Sequence, residues 1–184
     1  MTPRNTKTLP EQAVTDLRAT LRGAVILSGG GPYEEARKVW NAMIDRYPAI
    51  IVRPRGAADV MAAVRFAKDH ALEIAVKGGA HNVAGNAVCD DGLMVDFSDM
   101  RSVRVDPANR TAHVEPGALI QDLDRETAAH GLATPGGFIS STGVAGLTLG
   151  GGFGYLSRKY GLTVDNLRAA DMVTADAKFV HASA

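Results

Sequence analysis

Two glycine-rich segments hold the residues of this chain that are best suited to chemistry. The longer segment, residues 127–157, contains nine glycines and no Asp, Glu, Lys or Arg. The shorter segment, residues 76–86, places Lys77 before the Gly78-Gly79 pair and His81 shortly after it. Glycine lets main-chain N–H groups approach a ligand that a Cβ atom would hold away, and successive N–H groups bind anions. The pattern predicts phosphate binding, with charge from Lys77, and two separate loops predict a ligand as long as a dinucleotide.

The common nucleotide motifs describe neither segment. A Rossmann site needs G-x-G-x-x-G directly between a strand and a helix, with an acidic residue further on. Residues 150–154 lack the Lys and Ser/Thr of a P-loop, and residues 29–31 form an isolated glycine turn. The glycine loops therefore belong to another type of site.

Composition excludes several classes of protein. The 184 residues are 46% hydrophobic, with twenty basic and twenty acidic side chains and no block of like charge, so we expect no nucleic-acid partner. Cys89 is the only cysteine, which excludes an intrachain disulfide and a cysteine metal cluster, and the histidines lack metal-ligand spacing. No apolar signal core begins the chain, and Pro and Gly interrupt the uncharged segment. These features predict a cytoplasmic protein without a metal or a membrane partner.

Hydrophobic periodicity indicates the elements that position the first loop. Helical patterns over residues 10–21 and 33–43 predict an N-terminal helical lead-in, which we place at residues 1–45. A strand at 50–52, a helix at 57–71 and a strand at 74–76 then form a βαβ unit that leads into the first glycine loop.

We place a domain at residues 46–184. After the first glycine loop, this domain alternates short strands and helices. We predict strands at 93–95, 103–105 and 112–114, a helix at 118–130 with Gly131 as its C-cap, and a hairpin of 166–174 with 178–180. This order predicts an α+β fold of two lobes, with short sheets flanked by helices and both glycine loops facing a shared cleft.

Motifs along most of the chain resemble one family in its own order. They are residues 39–41 (Val-Trp-Asn), Pro48, Arg53-Pro54, residues 77–82, residues 95–98, Gly117 and residues 134–166. The chain resembles flavin-dependent oxidoreductases with a PCMH-type FAD-binding domain, the vanillyl-alcohol-oxidase superfamily, and within it the berberine-bridge-enzyme-like (BBE-like) branch. The resemblance implies a bound FAD and the oxidation of an alcohol, sugar or amine substrate.

The resemblance also implies which residues contact the cofactor. The first loop would contribute Lys77, Gly78, Gly79, Ala80, His81, Asn82 and Gly85. The second loop would contribute Pro135, Gly136, Gly137, Ser140, Ser141, Thr142, Gly143, Gly146, Leu147, Gly150, Gly151 and Tyr155.

His81 stands where relatives in this family bond a histidine ring nitrogen to the 8α-methyl carbon of the flavin. An imidazole is a good nucleophile near neutral pH, so this role suits the residue. Many relatives add a cysteine link from the second loop, but Ile139 occupies that position and leaves only the single link. Ala80 replaces a usual glycine, at a cost of about 1 kcal/mol if the position needs a positive φ.

Other readings stay open on the sequence alone. Relatives continue through the rest of the FAD domain, a substrate-binding domain and a C-terminal return segment, so we expect this chain to be a fragment or a split subunit, and assign no catalytic residue. It could be a non-catalytic flavin-binding module that needs a partner chain, or a non-covalent flavoprotein of the cell-wall-precursor reductase type. Lys77 equally fits a solvated strand end, and Asp165-Asn166 a self-ordering turn.

Overall fold

The computed structural model describes residues 7–183. Its helices are α1 (Glu11–Thr20), α2 (Tyr33–Ala36), α3 (Ala57–Asp69), α4 (Ile120–Ala128), α5 (Val144–Leu149) and α6 (Ser157–Tyr160). Its strands are β1 (Ala24–Leu27), β2 (Ile50–Arg53), β3 (Ile74–Lys77), β4 (Leu93–Asp96), β5 (Val103–Asp106), β6 (Thr111–Val114), β7 (Ala169–Val173) and β8 (Phe179–Ser183). Residues 1–6 of the predicted lead-in and Ala184 lie outside the described residues.

A four-stranded sheet in the order β1-β2-β4-β3 forms the first lobe. Strands β2, β4 and β3 run parallel, while β1 pairs antiparallel with β2. Ile50 and Val52 of β2 pack on one side with residues of α1 and α3, whereas Ile51 packs on the other side with Tyr33 and Met94. Because both sides of β2 and β4 are covered, these strands read as continuous apolar runs rather than alternating ones.

The predicted βαβ unit is confirmed, with β4 inserted between its two strands. The interpretation of the first 45 residues as helical was only partly right. The structure confirms α1, but the second helix ends at Ala36 rather than Met43, and β1 is a strand. The apolar run of β1 is four residues long, too short for a helix, and the open edge of β2 offers it a full set of main-chain hydrogen bonds.

Asp59 fixes this edge of the sheet from the first turn of α3. Its buried carboxylate accepts hydrogen bonds from the main-chain N–H groups of Arg22, Gly23 and Arg55, at 3.1, 3.0 and 2.8 Å. A buried carboxylate needs such partners, and here they join the segment before β1 to the end of β2.

The second part of the fold contains two hairpins and α4. The β5–β6 and β7–β8 pairs and α4 confirm the predicted strands and helix, with ends that differ by a few residues. Gly131 adopts a φ of 65° beyond α4, as its predicted capping role requires. Two short helices were not predicted. Helix α5 lies within the glycine segment, where glycine lowers helix propensity, and α6 follows it with only four residues, too few for a periodic pattern. The α+β prediction with small sheets is confirmed.

Within residues 7–183, no helix has the length and apolar character needed to cross a bilayer.

Candidate functional site

The first glycine loop follows β3, and the segment after α2 lies alongside it. The Lys77 ammonium donates to the carbonyl of Ala36 (2.7 Å), and the main-chain N–H of Trp40 donates to the carbonyl of Ala80 (3.1 Å). The Asn41 side-chain amide donates to the carbonyl of Val83 at 2.9 Å. Residues 36–41, which sequence analysis assigned to a helical lead-in, therefore form one wall of the site.

Lys77 is neither a solvated strand end nor a free charge on the loop. Its side chain is 11% exposed, and its Nζ lies 3.7 Å from Oδ2 of the fully buried Asp96. Arg53 donates to the same oxygen at 2.9 Å. Burial lowers the pKa of Lys77, while the attraction of Asp96 opposes this shift. The Lys77 charge is thus directed into a buried ion cluster under the loop.

The two glycine loops touch each other through their main chains. A Cβ atom on Gly79 would lie 2.2 Å from the nitrogen of Gly143, and a Cβ on Gly143 would lie 2.4 Å from the nitrogen of Gly79. Side chains bridge the loops as well, since the Ser141 hydroxyl lies 3.3 Å from Nε2 of His81. The two glycine loops are therefore adjacent, as a shared site requires.

Two runs of main-chain N–H groups near this contact have no protein acceptor. Among the described residues, none of the N–H groups of residues 79–84 or 137–141 donates a hydrogen bond. Main-chain donors are normally paired or exposed to solvent or ligand, and consecutive unpaired donors suit phosphate oxygens. The residues present therefore fit a nucleotide's pyrophosphate.

Aromatic side chains flank the same loops. The ring of Trp40 stacks on that of His81, with centroids 5.3 Å apart and planes inclined by 20°. Phe138 packs edge-on against Phe153 and Tyr155, at centroid distances of 5.4 and 4.8 Å. Trp40 and Tyr155 remain 64% and 86% exposed, which leaves their rings available to a planar ligand.

Thr134 is a polar residue of this region that sequence analysis did not assign to the site. Its hydroxyl oxygen is buried and, within the described chain, lacks a hydrogen-bond partner. It borders a cavity of about 150 Å³ that Gly136, Gly137 and Tyr155 also line. A buried hydroxyl is normally hydrogen-bonded, so a ligand or water atom is expected there. Only the fold reveals this signal, because a threonine before a proline has no distinctive pattern.

Several of the predicted site residues have structural roles that the geometry explains. Ser140 and Thr142 accept the N–H groups of Gln121 and Ile120, which anchors the second loop to the start of α4. Gly85 has a φ of 74°, and a Cβ there would lie 2.6 Å from Ile44. These residues shape the loops whether or not they contact a ligand.

The other predicted site residues surround the Gly79–Gly143 contact or lie beyond it. Asn82 accepts the N–H of Asn86 through Oδ1, and Gly146 has open space where a Cβ would point. Pro135 is buried, and Gly78 lies close to the carbonyl of Pro116. The remaining predicted residues lie in or beside α5, namely Leu147, Gly150 and Gly151.

Asp165 and Asn166 order their own turn, as one of the two sequence readings predicts. The Asp165 carboxylate accepts the N–H of Leu162 at 2.8 Å, and the Asn166 amide donates to the carbonyls of Tyr160 and Leu162. Their role in the described structure is local.

Comparison with known proteins gives consistent matches. Residues 48–183 match the model of a family described as FAD binding domain. The chain is 41% identical over 170 residues to an FAD-linked oxidoreductase of Dictyostelium discoideum, covering 92% of this chain and 37% of that protein. It is 36% identical over 164 residues to the (R)-6-hydroxynicotine oxidase of Paenarthrobacter nicotinovorans, covering 89% and 36%. The chain thus spans about a third of the length of these relatives.

Solved structures give the same result. BBE-like 1 of Physcomitrella patens superimposes with a TM-score of 0.88 at 29% identity, over 93% of this chain and 37% of that one. The glucooligosaccharide oxidase of Acremonium strictum superimposes with a TM-score of 0.85 at 31% identity, over 93% and 36%. The description of that enzyme names a 6-S-cysteinyl, 8α-N1-histidyl FAD.

Proposed function

Because the chain belongs to the FAD binding domain family of FAD-linked oxidoreductases, we propose that its two glycine loops, residues 77–86 and 134–155, form the FAD site. The observation that carries this proposal is the pair of unpaired N–H runs on either side of the Gly79–Gly143 contact. These donors would hold the pyrophosphate, and the exposed aromatic rings would cover the isoalloxazine. Lys77 supports the loop from below through Asp96 rather than by direct phosphate contact.

The same proposal includes a single covalent link from His81 to the 8α carbon of the flavin. His81 lies where the two loops meet, and the similar glucooligosaccharide oxidase is described with a histidyl FAD. Ile139 has no thiol, so a second link from the position that carries cysteine in many relatives is absent. Forming the link would replace the imidazole N–H and one C–H of the 8α-methyl group by a C–N bond, with dioxygen as the acceptor of the two electrons and two protons released.

The reaction class that follows is the oxidation of an alcohol, sugar or amine carbon, with electrons passed to oxygen or another acceptor. The bound cofactor would supply the hydride acceptor, and an electron-withdrawing histidyl link would tune its potential. This chain contributes the binding loops and His81. The base and the pocket that orient the substrate are expected from residues outside the part of the relatives that this chain spans.

A second candidate is a flavin-binding subunit that a partner chain completes. Large apolar side chains near the cleft favour it, since Leu149 and Phe153 are 79% and 65% exposed and Phe138 is about half exposed. Apolar surface of this kind is usually covered by another domain or protein. Oxidase activity of the purified chain alone would exclude this candidate.

Acid denaturation of the purified protein tests the FAD site and the link together. We expect flavin fluorescence to stay with the wild-type polypeptide, with an intact mass raised by one FAD, and to be released from His81→Ala. His130→Ala, which changes an exposed histidine beyond α4, is the matched control and should keep the link. Flavin that is freed from the wild type would support the non-covalent alternative, and a protein that does not bind FAD would refute the site.

A further inference from the structure

We infer that Trp40 and Ser141 are positioning residues that hold the His81 ring in the orientation in which it bonds the flavin. The inference rests on the proposed function, because it concerns the link from His81. Neither side chain contacts a reacting atom in this scheme. Trp40 restricts the ring from its face, and Ser141 restricts it at its Nε2 edge.

Trp40 restricts the plane of the imidazole. The two rings are nearly parallel, at 20°, with centroids 5.3 Å apart. The backbone of Trp40 is tied to the same loop, because its main-chain N–H donates to the carbonyl of Ala80, the residue before His81, and the side-chain amide of Asn41 donates to the carbonyl of Val83. Main-chain and ring contacts thus join the same two segments.

Ser141 restricts the edge of the ring. Its Oγ lies 3.3 Å from Nε2, and among the described residues no partner contacts Nδ1. A hydroxyl can accept a hydrogen bond from Nε2–H while Nδ1 carries the lone pair, and it can donate to Nε2 once Nδ1 is bonded to carbon. Ser141 can therefore hold the Nε2 edge of the ring before and after the link forms, while Nδ1 has no hydrogen-bond partner among the described residues.

This arrangement also combines the two loops with residues 36–41. Trp40 comes from the segment after α2, His81 from the first loop and Ser141 from the second. The orientation of the ring consequently depends on the Gly79–Gly143 contact that brings the loops together. A histidine whose ring is held in one orientation reacts faster than a freely rotating one, because the reacting geometry is already formed.

Trp40 is the only tryptophan in the chain, so its fluorescence reports the stack without any flavin. Removing the stacked imidazole changes the surroundings of the indole. We expect the emission of the FAD-free protein to change in intensity or wavelength in His81→Ala and to stay as in the wild type in His130→Ala. Unchanged emission in His81→Ala would overturn the role of Trp40.

The Ser141 contact is tested by ¹⁵N NMR of labelled FAD-free protein. We expect the Nε2 signal of His81 to shift in Ser141→Ala, while the signals of His130 stay unchanged. An Nε2 signal of His81 that does not move would overturn the role of Ser141. After loading, NMR of the isolated flavin peptide should show the 8α carbon on Nδ1, and a bond to Nε2 would overturn the inference.

The rate of covalent incorporation completes the test. We expect the rate to fall by about tenfold or more in Trp40→Ala and in Ser141→Ala, and to recover largely in Trp40→Phe, which keeps a stacking ring. Equal rates in wild type and both alanine variants would refute positioning while leaving the FAD site intact. A wild type that does not bind FAD would instead refute the proposed function, and the fluorescence and NMR results would still decide the ring geometry.

Discussion

Replacing Gly143 by alanine tests whether the contact between the loops builds the site. The main chain of Gly143 has φ −70° and ψ 132°, which alanine adopts without strain, so the effect of the substitution is steric. The added Cβ would lie 2.4 Å from the nitrogen and 2.8 Å from the Cα of Gly79. Ordinary contacts of this kind measure about 3.4–4 Å, so the loops must separate by roughly 1 Å.

The expected cost follows from the rigidity of the atoms involved. Overpacking typically costs about 1–3 kcal/mol, and main-chain atoms cannot rotate away as a side chain can, so we expect about 2 kcal/mol. If the loops open in the free protein, FAD must pull them together again, and about 2 kcal/mol corresponds to roughly 30-fold weaker binding. The Ser141–His81 distance of 3.3 Å should lengthen as well.

Binding is best measured in a His81→Ala background, where the proposed link cannot form and the equilibrium is reversible. FAD titrations of this background, with and without Gly143→Ala, give the ratio of dissociation constants. Gly31→Ala is the matched control, because no heavy atom lies within 4 Å of its added Cβ and its φ is not left-handed. This variant should bind FAD as its parent does.

A Gly79→Ala variant makes the test sharper. Its Cβ would lie 2.2 Å from the nitrogen of Gly143, so the two substitutions strain one shared contact and their combined loss of binding should be smaller than the sum. If Gly143→Ala binds FAD within twofold of its parent and unfolds at the same urea concentration, the close approach of the loops does not build the site.

Three further predictions follow from buried groups and from strain. Asp96→Asn should lower the free energy of unfolding by about 3–5 kcal/mol in urea melts, because it leaves the largely buried Lys77 and Arg53 without their carboxylate. Lys77→Met should lower the free energy of unfolding clearly less, since Arg53 still pairs with Asp96. Burial raises the pKa of Tyr33 to about 12. The stability that the neutral Tyr33 hydroxyl contributes is therefore complete below about pH 10 and is lost as the pH rises towards 12. Ultraviolet titration should show a late tyrosine step that Tyr33→Phe removes. Ala80→Gly should raise the free energy of unfolding by up to about 1 kcal/mol, because Ala80 has a φ of 59°, and an unchanged melting midpoint would contradict this strain.

The sequence by itself determined most of the later strands and helices and the kind of ligand. Apolar runs at Ile50–Arg53 and Leu93–Asp96 and the helical spacing of Ala57–Asp69 are local patterns, and they were read correctly. Glycine density around Gly79 and Gly143 indicated main-chain access to a phosphate, because the absence of a Cβ is a property of the residue itself. The family resemblance rests on the same residues and is confirmed by the match over residues 48–183.

Long-range packing decided the secondary structure of the N-terminal segment and the partner of Lys77. Strand β1 forms because β2 has an open edge, and residues 36–41 border the first loop through hydrogen bonds to residues about forty positions away. Lys77 looked like a phosphate ligand or a solvated strand end, but the parallel register of β3 and β4 places it opposite Asp96. No local pattern carries the information about which strand becomes the neighbour.

The tertiary structure alone decided how the site is put together. A glycine shows that the main chain can be approached, but only the fold shows that the neighbour of Gly79 is Gly143. In the same way, His81 could be named as the reactive residue, while its stacking on Trp40 and its contact with Ser141 depend on three segments meeting in space. Residue type fixes what a side chain can do chemically, and the packing of distant elements fixes its orientation and its partners.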